Sequence, residues 1–201
     1  MFVPEPSGFT VDARLRRIGV DVDGVLGDQI PEVVARMYKK WGLKITRDDI
    51  KSWRQRFGSS DIEKEIEEAL LDKSYVCNMP LHAGARAALD EIRGENVIVV
   101  ITARPETTDE WTQLWLRTNE IYYDEYINAR RSGKTGHGLN VLIDDYIGNI
   151  ARFLLETTGY GVLFDQPWNR EREELRLWVD RGRLLVARGW NEIPRIIESA
   201  S

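Results

Sequence analysis

Four short apolar segments, partly β-branched, recur along the chain and are separated by helical patterns. They are residues 18–22, 97–102, 141–143 and 161–164. Short apolar segments of this kind are typical of parallel strands that are covered on both faces. Strands that alternate with helices indicate an α/β protein. We therefore predict a doubly wound, Rossmann-like α/β fold with a parallel sheet at its core.

One long stretch interrupts this alternation directly after the first strand. Between residues 29 and 78 we find no convincing strand, whereas apolar residues such as Met37 and Trp41 recur at helical spacing. We predict that residues 29–78 form a small all-helical cap, inserted over the sheet edge where open α/β sheets bind ligands. The core would then consist of residues 1–28 and 79–201.

Two aspartates lie one residue apart at the end of the first predicted strand. Because side chains alternate along a strand, Asp21 and Asp23 would project to the same side. Carboxylates are rarely buried without a partner, and two together repel each other unless a positive charge lies between them. The pair therefore indicates either an acidic turn in solvent or a site for a cation and a phosphate.

Polar residues also end two other predicted strands, and a lysine lies in a loop between them. Thr102 ends the second strand, Asp144 and Asp145 follow the third, and Lys134 lies in the segment RRSGKTGHG. The carboxyl ends of neighbouring parallel strands lie at one edge of a sheet. We therefore expect these side chains to share a pocket with the first two aspartates.

This combination of side chains suits phosphoryl transfer. Carboxylates alone would repel a phosphate, so the site would need Mg²⁺, which carboxylate, substrate and water oxygens bind well. One carboxylate can attack phosphorus and form an acyl phosphate, while a second carboxylic acid can protonate the leaving alcohol. A threonine hydroxyl and a lysine can bind the phosphoryl oxygens.

The residues at these strand ends resemble the four motifs of the haloacid dehalogenase superfamily of phosphohydrolases, in the same order. The matching residues are Asp21-Val-Asp23-Gly-Val, Thr102, Lys134 and Asp144-Asp145. The segments DVDGVLGD, ITARP, LIDDYIGN and VLFDQPWNR are together similar to the 5′(3′)-deoxyribonucleotidases, the C-type 5′-nucleotidases. This similarity covers nearly the whole chain, and the superfamily places its smaller cap after the first motif.

The resemblance implies a role for each of the matching residues. Asp21 would be the nucleophile and a Mg²⁺ ligand. Asp23 would be the general acid and base, and would also bind the metal through its backbone carbonyl. Thr102 and Lys134 would bind the phosphoryl group.

The resemblance also separates the two adjacent aspartates, because the second matches the metal ligand of the family. Asp145 is therefore the expected Mg²⁺ ligand. Asp144 would orient Lys134 or a water molecule. The reverse assignment of the two aspartates stays open from the sequence.

Substrate contacts are expected from the cap and from the residues after Thr102. Trp53 and Phe57 are candidates for stacking on a nucleobase, and the alternative is that both pack the cap helices together. Ala103 and Arg104 are expected to contact the substrate. Animal members of the family often have serine in place of Ala103, so a preference for pyrimidines or deoxyribose does not follow.

We expect a Mg²⁺-dependent phosphatase that hydrolyses nucleoside monophosphates through an aspartyl phosphate on Asp21. One alternative is a phosphatase of the same superfamily that acts on a sugar phosphate or a nucleic-acid 3′-phosphate. The other is a non-enzymatic ligand-binding protein of the same fold, which would have no need to keep both Asp21 and Asp23.

Charge and composition limit the expected partners and location. The net charge of −5 argues against a protein that coats duplex nucleic acid. Cys77 is the single cysteine, so a disulfide within the chain is excluded and a reducing cytoplasm is expected. The longest apolar run, residues 97–101, is too short to span a membrane. The resemblance also allows a homodimer.

Overall fold

A six-stranded parallel sheet forms the centre of the protein in a computed structural model, which describes residues 15–200. The helices and strands in chain order are β1 (Arg16–Val20), α1 (Ile30–Trp41), β2 (Arg56–Phe57), β3 (Ser60–Asp61), α2 (Ile62–Leu70), α3 (Lys73–Asn78), α4 (Ala85–Ile92), β4 (Asn96–Thr102), α5 (Asp109–Thr118), β5 (Glu125–Asn128), β6 (Val141–Asp144), α6 (Ile147–Glu156), β7 (Tyr160–Phe164), α7 (Arg176–Asp180), β8 (Leu184–Ala187) and α8 (Ile193–Ser199). Residues 1–14 and 201 of the predicted core lie outside the described residues.

The strand order β5-β4-β1-β6-β7-β8 places β1 in the interior of the sheet. It pairs in parallel with β4 on one side and with β6 on the other, so that Val20 lies level with both Val100 and Ile143. The chain crosses from one side of β1 to the other between β5 and β6. Such a reversal leaves a crevice at the carboxyl ends of the strands, where open α/β sheets bind ligands.

Apolar residues cover both faces of the sheet. All seven residues of β4 are buried. Ile98 and Val100 belong to one hydrophobic cluster, together with residues of α4, α5 and α8, whereas Val99 and Ile101 belong to a second cluster with residues of α6. Burial of one such side chain contributes about 1.5–3 kcal/mol. The predicted doubly wound, Rossmann-like α/β fold is confirmed.

Residues 29–78, which we call the cap segment, contain the helices α1, α2 and α3. Pro31 lies in the first turn of α1, and Gly42, with a φ of 67°, ends this helix in the left-handed region. The side chain of Asp61 accepts a hydrogen bond from the backbone N–H of Lys64 and caps α2. The division of the chain into a core and a cap at these residues stays a prediction.

A short hairpin departs from the prediction that the cap segment is all-helical. Strands β2 and β3 pair in antiparallel fashion around Gly58, whose φ is 64°. Strands of two residues are too short to leave an alternating pattern in the sequence.

The sequence-based prediction of four strands also misses β5 and β8 of the main sheet. All four residues of β5 are only half-buried, so this strand has no apolar run that would reveal it.

No helix within residues 15–200 is long and apolar enough to cross a membrane. The longest of them, α1, has 12 residues, whereas a membrane-spanning helix needs about 20.

Candidate active site

A cleft of about 640 Å³ lies at the carboxyl edge of the sheet, beside the cap segment. The predicted site residues in its lining are Asp21, Asp23, Trp53, Ala103, Arg104, Lys134 and Asp145. Three others, Phe57, Thr102 and Asp144, are outside the lining. Small-molecule sites measure roughly 300–1,000 Å³. The fold therefore brings most of the predicted residues to one opening of suitable size.

The loop after β1 places the first two aspartates. The strand ends at Val20, two residues before the predicted end, although the backbone N–H of Asp21 still donates to Ile143 O at 3.0 Å. Gly24 then turns the chain with a φ of 77°. A Cβ atom at Gly24 would lie 2.2 Å from Oδ2 of Asp145, so this position requires glycine.

Asp21 is buried, and it shares Lys134 with Asp144, the last residue of β6. Lys134 Nζ lies 2.7 Å from Asp21 Oδ1, and the N–H of Val22 donates to the same oxygen at 2.7 Å. None of the described residues donates to Asp21 Oδ2. Burial raises the pKa of Asp21 to about 7, while the charge of Lys134 opposes the rise and those of Asp144 and Asp23 add to it. One oxygen is thus held, and the other is available to react.

Asp144 fixes the position of Lys134. Its Oδ2 accepts hydrogen bonds from Lys134 Nζ at 2.7 Å and from Asn149 Nδ2 at 3.0 Å, and its Oδ1 accepts from the N–H of Tyr146 at 2.8 Å. Burial alone would lower the pKa of Lys134, but the charges of Asp144 and Asp21 raise it overall. Lys134 therefore stays charged, in the position that the resemblance assigns to a phosphoryl ligand.

Asp145 belongs to the same cluster of carboxylates as Asp21 and Asp144. Its Oδ2 accepts a hydrogen bond from Trp168 Nε1 at 2.8 Å. Burial raises the pKa of Asp145 well above its usual range, and the charges of Asp144 and Asp21 raise it further. A bound cation would relieve this repulsion and favour the ionised carboxylate.

The residues present fit the divalent metal that the resemblance implies. Oxygen atoms of Asp21, Asp144 and Asp145 lie within 4.8 Å of one another, and all three residues are buried. Lys134 forms ion pairs with two of these carboxylates, Asp21 and Asp144. Hard oxygen donors of this kind are the ligands that Mg²⁺ prefers. Of the three, Asp144 already accepts three hydrogen bonds, which leaves Asp21 and Asp145 as the freer ligands.

Asp23 does not share the lysine of Asp21, although its side chain was expected to project to the same side. Arg104 donates from Nε to Asp23 Oδ2 at 2.8 Å and from Nη2 to Asp23 Oδ1 at 2.7 Å. Its Nη1 donates to Thr112 Oγ1 at 3.0 Å, and its side chain is fully buried. The guanidinium of Arg104, predicted as a substrate ligand, therefore holds the predicted general acid.

Thr102 and Ala103 lie at the end of β4. Thr102 is fully buried, and its Oγ1 accepts a hydrogen bond from the N–H of Arg104 at 3.3 Å. A hydroxyl that accepts one hydrogen bond still has its own hydrogen to donate. Ala103 is exposed in the cleft.

Of the two aromatic residues predicted to contact a base, Trp53 lines the cleft and Phe57 does not. Trp53 lines the cleft and lies against Trp168, with ring centroids 4.5 Å apart. Phe57 is half-buried and, like Trp53, packs against the hydrophobic cluster that contains Ile98 and Val100. Trp168 is not among the residues predicted from the sequence, although it lies in the segment VLFDQPWNR that carries part of the resemblance.

Comparison with known proteins gives consistent matches. A sequence model of the family described as "5' nucleotidase, deoxy (Pyrimidine), cytosolic type C protein" matches residues 15–190. The Bacillus subtilis (strain 168) protein named "Putative nucleotidase YqfW" is 23% identical over 164 residues, which cover 77% of this chain and 82% of that protein. "Putative nucleotidase OB0422" of Oceanobacillus iheyensis is 28% identical over 127 residues, which cover 58% of this chain and 66% of that protein.

Solved structures share the fold at low sequence identity. A haloacid dehalogenase family hydrolase from Deinococcus radiodurans R1, solved with bound phosphate and sodium, has a TM-score of 0.61 at 16% identity, over 94% of this chain and 97% of that one. The haloacid dehalogenase-like family protein SP0104 from Streptococcus pneumoniae has a TM-score of 0.63 at 14% identity, over 92% and 99% of the two chains. The sheet and its helices therefore have the fold of these hydrolases.

Proposed function

This chain belongs to the cytosolic type C family of deoxy (pyrimidine) 5′-nucleotidases, and we propose that it hydrolyses nucleoside monophosphates with Mg²⁺ through an aspartyl phosphate on Asp21. As a member of this family it is a phosphatase that acts on a small phosphate ester. One observation carries the proposal. Asp21 lines the cleft, Lys134 holds its Oδ1, and its Oδ2 accepts no hydrogen bond within the described chain.

The metal would be held by Asp21, Asp145 and the backbone carbonyl of Asp23. Bound Mg²⁺ would offset the negative charge of the carboxylates and of the phosphoryl group. Asp144 would keep Lys134 in place and take no direct part in the reaction, since its oxygens already accept three hydrogen bonds.

In the first half of the reaction, Oδ2 of Asp21 attacks phosphorus and the bond from phosphorus to the ester oxygen breaks. Asp23 gives a proton to the leaving nucleoside hydroxyl. Arg104 keeps the Asp23 carboxyl group in a fixed plane. Lys134 and the Thr102 hydroxyl would bind phosphoryl oxygens whose charge changes in the transition state.

In the second half, water attacks phosphorus and the bond between phosphorus and Asp21 breaks. Asp23, now a carboxylate, takes a proton from the attacking water. Phosphate leaves, and the Asp21 carboxylate and the protonated Asp23 are restored. One carboxylic acid thus acts first as an acid and then as a base, and a single difficult displacement is divided into two.

A nucleotide is the favoured substrate because the cleft carries an aromatic surface at Trp53, against which a base can stack. Phe57, the other predicted stacking residue, would contribute by packing of the cap segment. A sugar phosphate or a nucleic-acid 3′-phosphate is the alternative substrate. Both would use the same carboxylates, but a sugar phosphate has no base to stack on the aromatic surface, whereas a nucleic-acid 3′-phosphate has one.

The location and the assembly of the protein are further proposals. The name of the family favours a cytosolic enzyme, and a single cysteine, Cys77, suits a reducing compartment. We also propose a homodimer, which the molar mass measured by light scattering would test directly.

The testing experiment is a measurement of phosphate release from nucleoside 5′- and 3′-monophosphates and from sugar phosphates, with Mg²⁺ and with a chelator. Wild type, Asp21→Asn and the matched surface variant Asp90→Asn are compared. Asp90 is exposed on α4, away from the residues that line the cleft. We expect Mg²⁺-dependent release that is highest with nucleotides, is abolished in Asp21→Asn and is unchanged in Asp90→Asn.

The covalent step has its own test. Enzyme that is quenched with acid during turnover is expected to gain one phosphoryl group in its intact mass, and Asp21→Asn is expected to gain none. Higher activity on sugar phosphates than on nucleotides would overturn the substrate assignment. Release that persists in Asp21→Asn would overturn the aspartyl phosphate.

A further inference from the structure

Trp168 connects Asp145 to the cap segment. Its Nε1 donates a hydrogen bond to Asp145 Oδ2 at 2.8 Å. Its ring lies against Trp53, with centroids 4.5 Å apart and ring planes inclined at 44°. Trp53 belongs to the cap segment, whereas Trp168 belongs to the loop after β7 and is only 6% exposed. The indole of Trp168 thus contacts both Asp145, a candidate metal ligand, and Trp53 of the cap segment.

The turn that carries Trp168 is itself fixed to Asp145. Residues Pro167–Asn169 form one turn of 3-10 helix. The side chain of Asn169 donates from Nδ2 to the backbone oxygen of Asp145 at 2.8 Å and accepts from the N–H of Gln166 at 3.0 Å. These hydrogen bonds hold the backbone under the indole, whose N–H is directed at Asp145.

A second contact joins the same turn to the cap segment. Gln166 Oε1 accepts a hydrogen bond from Arg47 Nη1 at 3.1 Å, and Gln166 Nε2 donates to the backbone oxygen of Gly24 at 2.8 Å. Arg47 also pairs with Asp28 at the end of the loop after β1. Because Gly24 lies directly against Asp145 Oδ2, the cap segment, the turn and this loop all meet around one carboxylate.

A hydrogen bond to one oxygen of a carboxylate restrains the orientation of that carboxylate and leaves its other oxygen able to bind a cation. Residues that orient metal ligands in this way affect metal affinity strongly. We propose that Trp168 is a positioning residue that orients Asp145 toward a bound divalent cation, and that Trp53 holds the Trp168 indole in that orientation. Cation affinity is thereby coupled to the contact between the cap segment and the turn. The inference rests on the proposed function only for the identity of the cation, Mg²⁺.

The test is the affinity of the substrate-free protein for Mg²⁺, measured by calorimetry for wild type, Trp168→Phe, Trp53→Ala and Trp178→Phe. Phenylalanine at position 168 keeps a ring against Trp53 but lacks the N–H. We expect Trp168→Phe to bind Mg²⁺ roughly 10-fold or more weakly. Trp53→Ala, which leaves the N–H but removes its support, is expected to bind Mg²⁺ several-fold more weakly.

Trp178→Phe is the matched control, because Trp178 lies on α7 beside Arg181 and Arg183, outside the cleft lining. Its Mg²⁺ affinity is expected to equal that of wild type. Thermal unfolding in chelator shows whether each variant is folded. If Trp168→Phe does not fold, benzothienylalanine at this position replaces the N–H by sulfur and keeps the shape of the indole, with the same expected loss.

Wild-type affinity for Mg²⁺ in folded Trp168→Phe would overturn the role of Trp168. Wild-type affinity in Trp53→Ala would overturn the coupling to the cap segment. The measurement contains no substrate, so a protein that binds Mg²⁺ as expected and hydrolyses no nucleotide would contradict the proposed function while supporting this inference. A wild-type protein that binds no Mg²⁺ would overturn the inference itself.

Discussion

Arg104 holds Asp23 through two parallel hydrogen bonds of 2.8 Å and 2.7 Å, and the arginine is itself fully buried. A buried guanidinium on a carboxylate defines both the position and the plane of that carboxylate. If Asp23 passes a proton to a leaving alcohol, its geometry depends on a residue that follows the neighbouring strand β4. Arg104 is then a positioning residue for proton transfer.

Arg104→Lys is expected to lower kcat roughly 10-fold or more with little change in KM, because lysine keeps the charge but cannot form the two parallel hydrogen bonds. Steady-state kinetics on a nucleoside monophosphate measures this split. Arg152→Lys is the control, since Arg152 forms an exposed ion pair with Glu156 on α6. Wild-type kcat in Arg104→Lys would contradict the assigned role.

The proposed role of Asp23 as a general acid predicts that its replacement affects substrates differently according to their leaving group. A nucleoside hydroxyl must be protonated as it leaves, whereas the nitrophenolate of p-nitrophenyl phosphate leaves without a proton. Asp23→Asn is expected to lower the rate of phosphoenzyme formation roughly 100-fold or more for a nucleotide, and much less for p-nitrophenyl phosphate. Single-turnover measurements compare the two rates. Equal losses with both substrates would be evidence against proton donation by Asp23.

Asp21 gives the metal-free protein a stability that depends on pH. Its pKa is about 7 in the folded chain, against an ordinary value of 3.8. Between these values the folded state keeps a proton that the unfolded state has lost, so the free energy of unfolding falls as pH rises. The slope from this group is at most about 1.4 kcal/mol per pH unit.

Asp21→Asn removes this titration. In chelator, we expect the variant to gain stability relative to wild type as pH rises from about 5 to about 7. Urea denaturation across this range measures the difference, and Asp90→Asn should follow wild type throughout. A constant difference between Asp21→Asn and wild type would mean that the buried carboxyl group does not titrate in this window.

The aromatic surface of the cleft predicts a difference between substrates with and without a base. At saturating Mg²⁺, Trp53→Ala is expected to raise KM for a nucleotide roughly 10-fold, which is the size of one base-stacking contact, and to leave KM for a sugar phosphate unchanged. Phe57→Leu is expected to change neither KM, because Phe57 is outside the cleft lining. Equal effects of Trp53→Ala on both substrates would contradict base stacking.

The sequence was sufficient to predict the fold class, because the central strands carry continuous apolar runs. It also predicted that the ends of β1, β4 and β6 lie together, and the structure brings Asp21, Lys134, Asp144 and Asp145 within contact distance there. The catalytic and metal-binding roles of these residues stay predictions.

Side-chain partners beyond the strand ends could not be predicted in the same way. The pairing of Arg104 with Asp23 depends on the path of two loops after their strands end, and no periodic pattern records such a path. The contact between Trp53 and Trp168 joins segments far apart in the sequence. The edge strand β5 is half-buried and therefore lacks the apolar signal of the interior strands.

The position of β1 has a consequence for how the polypeptide folds. Arg16 on β1 pairs with Asn96 on β4, and Ile18 pairs with Val141 on β6, so the first strand finds both its partners only much later in the chain. Contacts between distant parts of a chain form slowly, because the entropy of closing a large loop is lost before the contact is gained. During synthesis on the ribosome, the cluster of Asp21, Asp144 and Asp145 thus cannot assemble until Asp145 has emerged.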